Sequence, residues 1–222
     1  MQLISPILQS LIDLDTSLLL AINGAHCDFF DYFMYAFSAK LVWVPFYVAI
    51  FYTMIKNFTK RELLFAVVGI GMLILLADQV CSSLIRPLVE RWRPSNPNSP
   101  IADLVHIVNG YRGGRYGFPS CHATNTFALA TYVFLLFRNR WLTGFLLFWA
   151  LVTCYSRAYL GVHYPGDLLV GGAIGVLLAI LIYKLFARLS DYRCPKVPKQ
   201  VLLPVWVGVL SVLCMLIFSA LA

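Results

Sequence analysis

Seven polar side chains of this 222-residue chain fall in three short stretches, and each is of a type that holds an anion or moves a proton. The first stretch is Arg86-Pro-Leu-Val-Glu-Arg-Trp-Arg93-Pro94. Arg86 and Arg93 are seven residues apart, two helical turns, so a helix would put them on one face, although Pro87 and Pro94 work against a regular helix. A guanidinium gives phosphate charge-assisted, often bidentate hydrogen bonds. The same cluster would also suit lipid headgroups at a membrane edge. The second stretch, Gly117-Phe-Pro119-Ser120-Cys121-His122, runs into an apolar segment. Ser120 is a natural N-cap, and the free N–H groups and dipole of a helix start favour an anion. His122 then falls in the first helical turn. The third stretch, Ser156-Arg157-Ala-Tyr-Leu-Gly-Val-His163-Tyr-Pro165-Gly-Asp167, sets His163 four residues before Asp167. The carboxylate could hold one imidazole nitrogen and leave the other free to act, or the two could be a structural pair at a helix start. Together these residue types fit phosphoryl transfer, which needs positive charge around the equatorial oxygens.

Membrane helices hold these three stretches in place. Residues of the AVILMFWYC set make up 60% of the chain and charged residues 12%, and the mean hydropathy is +0.79. An ordinary soluble domain carries roughly 25% charged residues. A disordered chain, a collagen-like chain and an ordinary cytosolic enzyme are excluded, which leaves an all-α, polytopic integral membrane bundle. A span needs about 20 mostly apolar residues. The runs 41–55, 62–86, 122–138, 141–157, 165–187 and 201–222 supply about six transmembrane helices, the third and fourth forming a tight hairpin at Asn139. Residues 1–38 are apolar but carry Asp13 and Asp15, and read as an amphipathic, interfacial segment; a seventh span is the alternative. They lack the basic start and small-residue cleavage site of a signal peptide. One domain, 1–222, is expected: the interfacial segment 1–38, a catalytic helical core 39–190, and a basic loop with a C-terminal helix, 191–222. The polar stretch 87–121 is a loop within it.

The net charge of +7 lies between apolar runs, so it reflects topology and anionic headgroups, and no nucleic-acid partner is expected. If every run crosses once, ten Lys and Arg (among them Lys56, Arg61, Arg138 and Lys196) fall on one side and seven on the other. The positive-inside rule puts the ten in the cytoplasm. The seven, which include Arg86, Arg93 and Arg157, then face outward, to the periplasm of a bacterial inner membrane. Six cysteines without a CxxC pair read as small buried apolar side chains, with any disulfide left open.

With these residues in place the chain resembles the type 2 phosphatidic acid phosphatase superfamily, which includes the vanadium haloperoxidases. The family pattern is Lys-x6-Arg-Pro, Pro-Ser-Gly-His and Ser-Arg-x5-His-x3-Asp. Here it reads Arg86-x6-Arg93-Pro94, Pro119-Ser120-Cys121-His122 and Ser156-Arg157-x5-His163-x3-Asp167. Arg86 stands in place of Lys, and Cys121 in place of Gly. The resemblance implies that His163 is the nucleophile and forms a phosphohistidine. Asp167 orients it, and His122 protonates the leaving oxygen and then activates water. Arg86, Arg93, Arg157, Ser120 and the backbone at Cys121 hold the phosphoryl oxygens.

Three arginines supply charge without a metal, and no Asp/Glu cluster is present to hold Mg²⁺, so neither metal nor cofactor is expected. Asp78, about two turns before Arg86, and Arg115, just before the second stretch, are possible auxiliary site residues. Arg91, Arg112, His26 and His106 read as surface or packing residues. A site at the membrane boundary suits a lipid phosphate, whose tail stays in the bilayer. Members with so compact a loop resemble lipid A phosphatases and undecaprenyl-diphosphate phosphatases, and lipid A is the first expectation. Phosphatidylglycerol phosphate and phosphatidic acid, transfer to another lipid, and a non-enzymatic lipid transporter remain alternatives. The oligomeric state is open.

Overall fold

The computed structural model describes residues 5–195 and 197–221. Residues 1–4 of the expected interfacial segment, Lys196 and Ala222 lie outside the described residues. The chain is helical from α1 (Pro6–Gly24) and α2 (Asp28–Ser38) through α3 (Val44–Asn57), α4 (Lys60–Asp78) and α5 (Arg86–Val89) to α6 (Cys121–Phe137), α7 (Arg140–Tyr159), α8 (Pro165–Ser190) and α9 (Leu203–Leu221). Among the described residues no strand forms; one isolated bridge joins Trp92 and Tyr116.

Local chemistry sets the boundaries. Thr59 and Glu62 form a reciprocal capping box that starts α4. Beyond Asp78 the helix continues through a π-helical stretch, Gln79–Ile85, into α5, and stops at Glu90 in a left-handed conformation (φ 48°). Asn139 Oδ1 accepts the N–H groups of Trp141 and Leu142, both at 3.1 Å, and so makes the tight α6–α7 turn. Pro165 opens α8, where its missing N–H costs nothing.

α6 lies at the centre, against α4, α7 and α8, while α9 packs on α2, α3 and α7. Phe46, Tyr132, Leu136, Leu146 and Trp149 fill the interior. The outer faces expose Phe51, Leu64, Leu75, Leu177 and Leu181. So continuous an apolar surface is a lipid-facing one. The tightest seam joins α6 to α8. A Cβ on Gly171 would fall 2.5 Å from the Ser120 carbonyl oxygen, and one on Gly175 a mere 2.3 Å from that of Thr124. Only hydrogen fits there, and the two backbones touch, as small residues allow in membrane helix pairs.

The six apolar runs each coincide with a helix. By length and composition, Lys60–Val89, Pro165–Ser190 and Leu203–Leu221 are each able to cross a membrane, and α2 with Lys40–Asn57 forms one pair bent by 65°. Trp43 Nε1 donates to the Phe37 carbonyl across that bend (2.8 Å). α6, at 17 residues, is short. Within the expected interfacial segment the described residues form two helices, α1 and α2, and α2 buries Phe33, Met34 and Phe37. Cys27 and Cys214 are exposed, against the expectation for cysteines, and all six thiols are free.

The ends of the bundle are sorted. At one, Arg61 donates to the Leu189 carbonyl (2.7 Å) and Asn57 bonds the backbone of Lys199. The three polar stretches gather at the other. Gly175→Ala should lower the thermal unfolding midpoint in detergent, at a cost of about 1–3 kcal/mol for overpacking. Gly144→Ala, where a Cβ meets nothing within 4 Å, should leave it unchanged or raise it. Equal shifts for the two would show that the α6–α8 seam is not close-packed.

Candidate active site

Two helix starts and one loop build the site. Ser120 caps α6, its Oγ accepting the Ala123 N–H at 3.4 Å, and its own N–H donates to the Asp167 carbonyl in the first turn of α8 (3.0 Å). The seam of Gly171 and Gly175 thus ends in a hydrogen bond between the two site stretches. The loop 90–120 closes on itself, with Arg93 N–H to the Arg115 carbonyl at 3.3 Å and Gly117 N–H to that of Arg91 at 2.9 Å.

His163 is buried, 1% exposed. Its Nε2 lies 2.8 Å from Arg93 Nη1. A guanidinium nitrogen only donates, so Nε2 carries the lone pair and Nδ1 the proton. Nδ1 faces Asp167 Oδ2 at 3.4 Å. Burial, and then the charges of Arg93, Arg157 and Arg86, hold this imidazole well below its ordinary pKa, so the ring is neutral at neutral pH. Burial and the other arginines also lower Arg93, to about 10, which leaves it protonated.

Arg157, 2% exposed, donates to Ser38 Oγ and to Tyr111 OH (2.9 Å). Arg86 reaches Ser82 Oγ (3.3 Å) and the Pro119 carbonyl (3.2 Å). The Nε groups of Arg86, Arg93 and Arg157 are buried and have no protein partner. Three buried cationic donors left without a partner are costly unless an anion takes them. Arg86 Nη2 also lies 3.2 Å from Cys121 Sγ, so the two positions that depart from the family pattern touch each other.

The structure therefore brings Arg86, Arg93, Ser120, Cys121, His122, Arg157, His163 and Asp167 to one end of the bundle. Among the described residues Asp78 forms no ion pair within 4 Å; it accepts from Ser82 Oγ (3.2 Å), one step from Arg86. Arg115 is exposed and stacks on Trp92 and Tyr116, its guanidinium carbon 4.9 and 4.8 Å from the ring centres. Arg91 is not a plain surface residue. Its Nη1 donates to Asp167 Oδ1 (2.9 Å), its Nη2 pairs with Asp15 Oδ2 (2.8 Å), and it lies 3.7 Å over the Tyr164 ring. Asp15 also accepts the Gly166 N–H (2.7 Å). Arg91, Asp15, Ser38 and Tyr111 were not singled out as site residues from the sequence. Arg91 lies two residues from Arg93, and Asp15 breaks an apolar run, but neither signal names its partner.

From the pocket an apolar cavity of about 530 Å³ runs along the bundle. Ser38, Lys40, Asp78 and His122 border it, and Trp43, Ile50, Met54, Leu73 and Leu129 line its body.

The sequence pattern of the PAP2 superfamily matches residues 64–191. A lipid A 4'-phosphatase of Bacteroides thetaiotaomicron is 50% identical over 220 residues, covering 96% of this chain and 98% of that protein. A lipid A 4'-phosphatase of Porphyromonas gingivalis is 34% identical over 200 residues, covering 87% and 84%. The crystal structure of Aquifex aeolicus LpxE superposes with a TM-score of 0.58 at 24% identity, over 77% of this chain and 95% of that one. A transmembrane PAP2-type phosphatidylglycerolphosphate phosphatase of Bacillus subtilis gives 0.61 at 20% identity, over 83% and 90%. Those two solved chains share the helical membrane fold. The matched segment holds all three polar stretches, and this integral membrane protein belongs to the PAP2 superfamily.

Proposed function

We propose that the chain is a membrane lipid phosphatase that removes a phosphate from lipid A through a phosphohistidine, without a metal. The observation that carries this is the buried His163 Nε2 lone pair facing Arg93 Nη1, with the charges of Arg157 and Arg86 acting on the same ring and the Nε of all three arginines buried without a protein partner. His163 attacks phosphorus, an N–P bond forms and the bond to the lipid oxygen breaks, with His122 giving that oxygen its proton. His122 then takes a proton from water, which attacks phosphorus and frees His163 and phosphate. The Asp167 carboxylate stabilises the positive charge that the ring gains. The arginines, Ser120 and the N–H groups at Cys121–His122 hold the oxygens.

Lipid specificity is supported by the cavity that runs from His122 between apolar walls. It offers an acyl chain a place while Lys40 borders the headgroup end. The lipid A assignment is supported by the relatives of that name, which match nearly the whole chain. We read six crossings with the site outward, in a bacterial inner membrane, a reading that the charge count and the sorted ends of the bundle support.

Purified protein in detergent and EDTA should release phosphate from lipid A faster than from undecaprenyl diphosphate, phosphatidylglycerol phosphate or phosphatidic acid. His163→Ala should reduce this by more than about 10³-fold. Loss of activity in EDTA that only Mg²⁺ restores would refute the metal-free reaction, and equal release by His163→Ala would sink the nucleophile. Arg91→Ala should lower kcat at least about tenfold, by unpairing Asp167, with KM less affected. Arg86→Lys and Cys121→Gly, made singly and together, should couple by at least about 0.5 kcal/mol in kcat/KM because the side chains touch; additive effects would separate them. Finally, His163 binds fewer protons folded than unfolded below its ordinary pKa of about 6.5, so its burial costs stability as pH falls. The unfolding midpoint should drop between about pH 7 and pH 5, and drop less in His163→Asn.

A further inference from the structure

The turn between α1 and α2 gathers three side chains that the proposed reaction does not use. His106 Nε2 lies 2.8 Å from Asp31 Oδ2. The His26 ring stacks on His106, with centroids 3.7 Å apart and planes 2° from parallel. One nitrogen or oxygen of each residue lies within 4.8 Å of the other two. The three come from separate places: the α1–α2 turn, the first turn of α2, and the loop before Ile107.

Two of the three are already held. Tyr159 OH donates to Asp31 Oδ1 (2.6 Å), which leaves Oδ2 turned to His106. Asn23, 1% exposed, fixes the His106 backbone from both sides. Its Oδ1 accepts the His106 N–H at 2.8 Å, and its Nδ2 donates to the His106 carbonyl at 3.0 Å and to that of Tyr159 at 2.7 Å. His26 is exposed on its turn. A polar recess of about 360 Å³, bordered by Asp28, Asp31, Tyr32 and Asn109, opens beside them.

We propose that His26, Asp31 and His106 form a binding site for a divalent transition-metal ion of the zinc type, which clips the α1–α2 turn to the 105–108 loop. Two imidazole nitrogens and one carboxylate oxygen are a zinc donor set, with water as the fourth ligand. Calcium and magnesium would ask for more oxygens. Bonds of about 2.0–2.1 Å make a tetrahedral edge of about 3.3 Å. His106 and Asp31 are already inside that distance, and rotation of His26 closes the rest. The Tyr159 bond to Asp31 and the Asn23 bonds to the His106 backbone are the outer contacts that orient such ligands. The ion sits apart from the arginine pocket and takes no part in phosphoryl transfer, so the phosphatase reading stands or falls separately.

The test is zinc binding and unfolding, not activity. Tag-free protein in detergent is stripped with EDTA, desalted and titrated with Zn²⁺ against a chromophoric chelator. One equivalent should bind, and the unfolding midpoint should rise with it. His26→Ala removes an exposed ligand and Asp31→Asn keeps the side-chain shape. Each should weaken zinc binding at least about tenfold and abolish the rise, while Cys27→Ser should retain both. No stoichiometric zinc, zinc retained in His26→Ala and Asp31→Asn, or zinc lost only in Cys27→Ser would each overturn the site.

Discussion

The approach of α6 to α8 is the constraint on which the rest depends. In lipid there is no hydrophobic force between helices, so close packing and hydrogen bonds must hold them. Gly171 and Gly175 let the two backbones meet, and the Ser120 N–H closes the seam on the Asp167 carbonyl. The cap of α6 and the first turn of α8 then behave as one rigid piece. His122 rides on one side of it, and Asp167 with His163 on the other. Their spacing is inherited from backbone contact, which is stiffer than any side-chain pairing.

On that rigid piece the protein concentrates positive charge. Arg86, Arg93 and Arg157 all act on the buried His163 ring, and among the described residues Asp167 is the one buried carboxylate. Burial first, and then the charges of the neighbouring arginines, pull Arg93 down to about 10 and keep His163 neutral. Arg91 stands behind the pocket and shares itself between Asp167 and Asp15. It gives that buried carboxylate a charged hydrogen-bond partner. Through Asp15 the same guanidinium ties α1, a helix outside the matched family segment, to the first turn of α8.

The chain order of chemistry-bearing residues was legible because local spacing carries it. Ser120 before an apolar run and Pro165 at a helix start each predict a geometry that the structure has, and the four-residue spacing brings His163 Nδ1 to 3.4 Å from Asp167 Oδ2, without a hydrogen bond. Apolar runs predict helices for the same reason. What stayed hidden are the contacts between distant residues. Asp15 with Arg91, Arg157 with Ser38 and Tyr111, and His106 with Asp31 and His26 lie far apart in the chain. No period or spacing encodes them, and Arg91 and the two histidines read as surface groups for that reason. The meeting of Arg86 with Cys121 was hidden in the same way, although both positions were visible as departures.

The π-helical stretch Gln79–Ile85 has a consequence for how this chain tolerates change in length. A regular α-helix turns about 100° per residue, so a 30-residue run from Lys60 to Val89 would fix the phase of Arg86 by that of Asp78 and Leu73. The wider turn breaks that lock, as if one residue had been spliced into a regular helix. The lower part of the run keeps the phase that lines the apolar cavity, while the upper part keeps the phase that points Arg86 at Pro119 and Cys121. The segment is a frame-shifter. It lets the register of the lipid-facing half and that of the phosphate-facing half be set independently within one continuous helix.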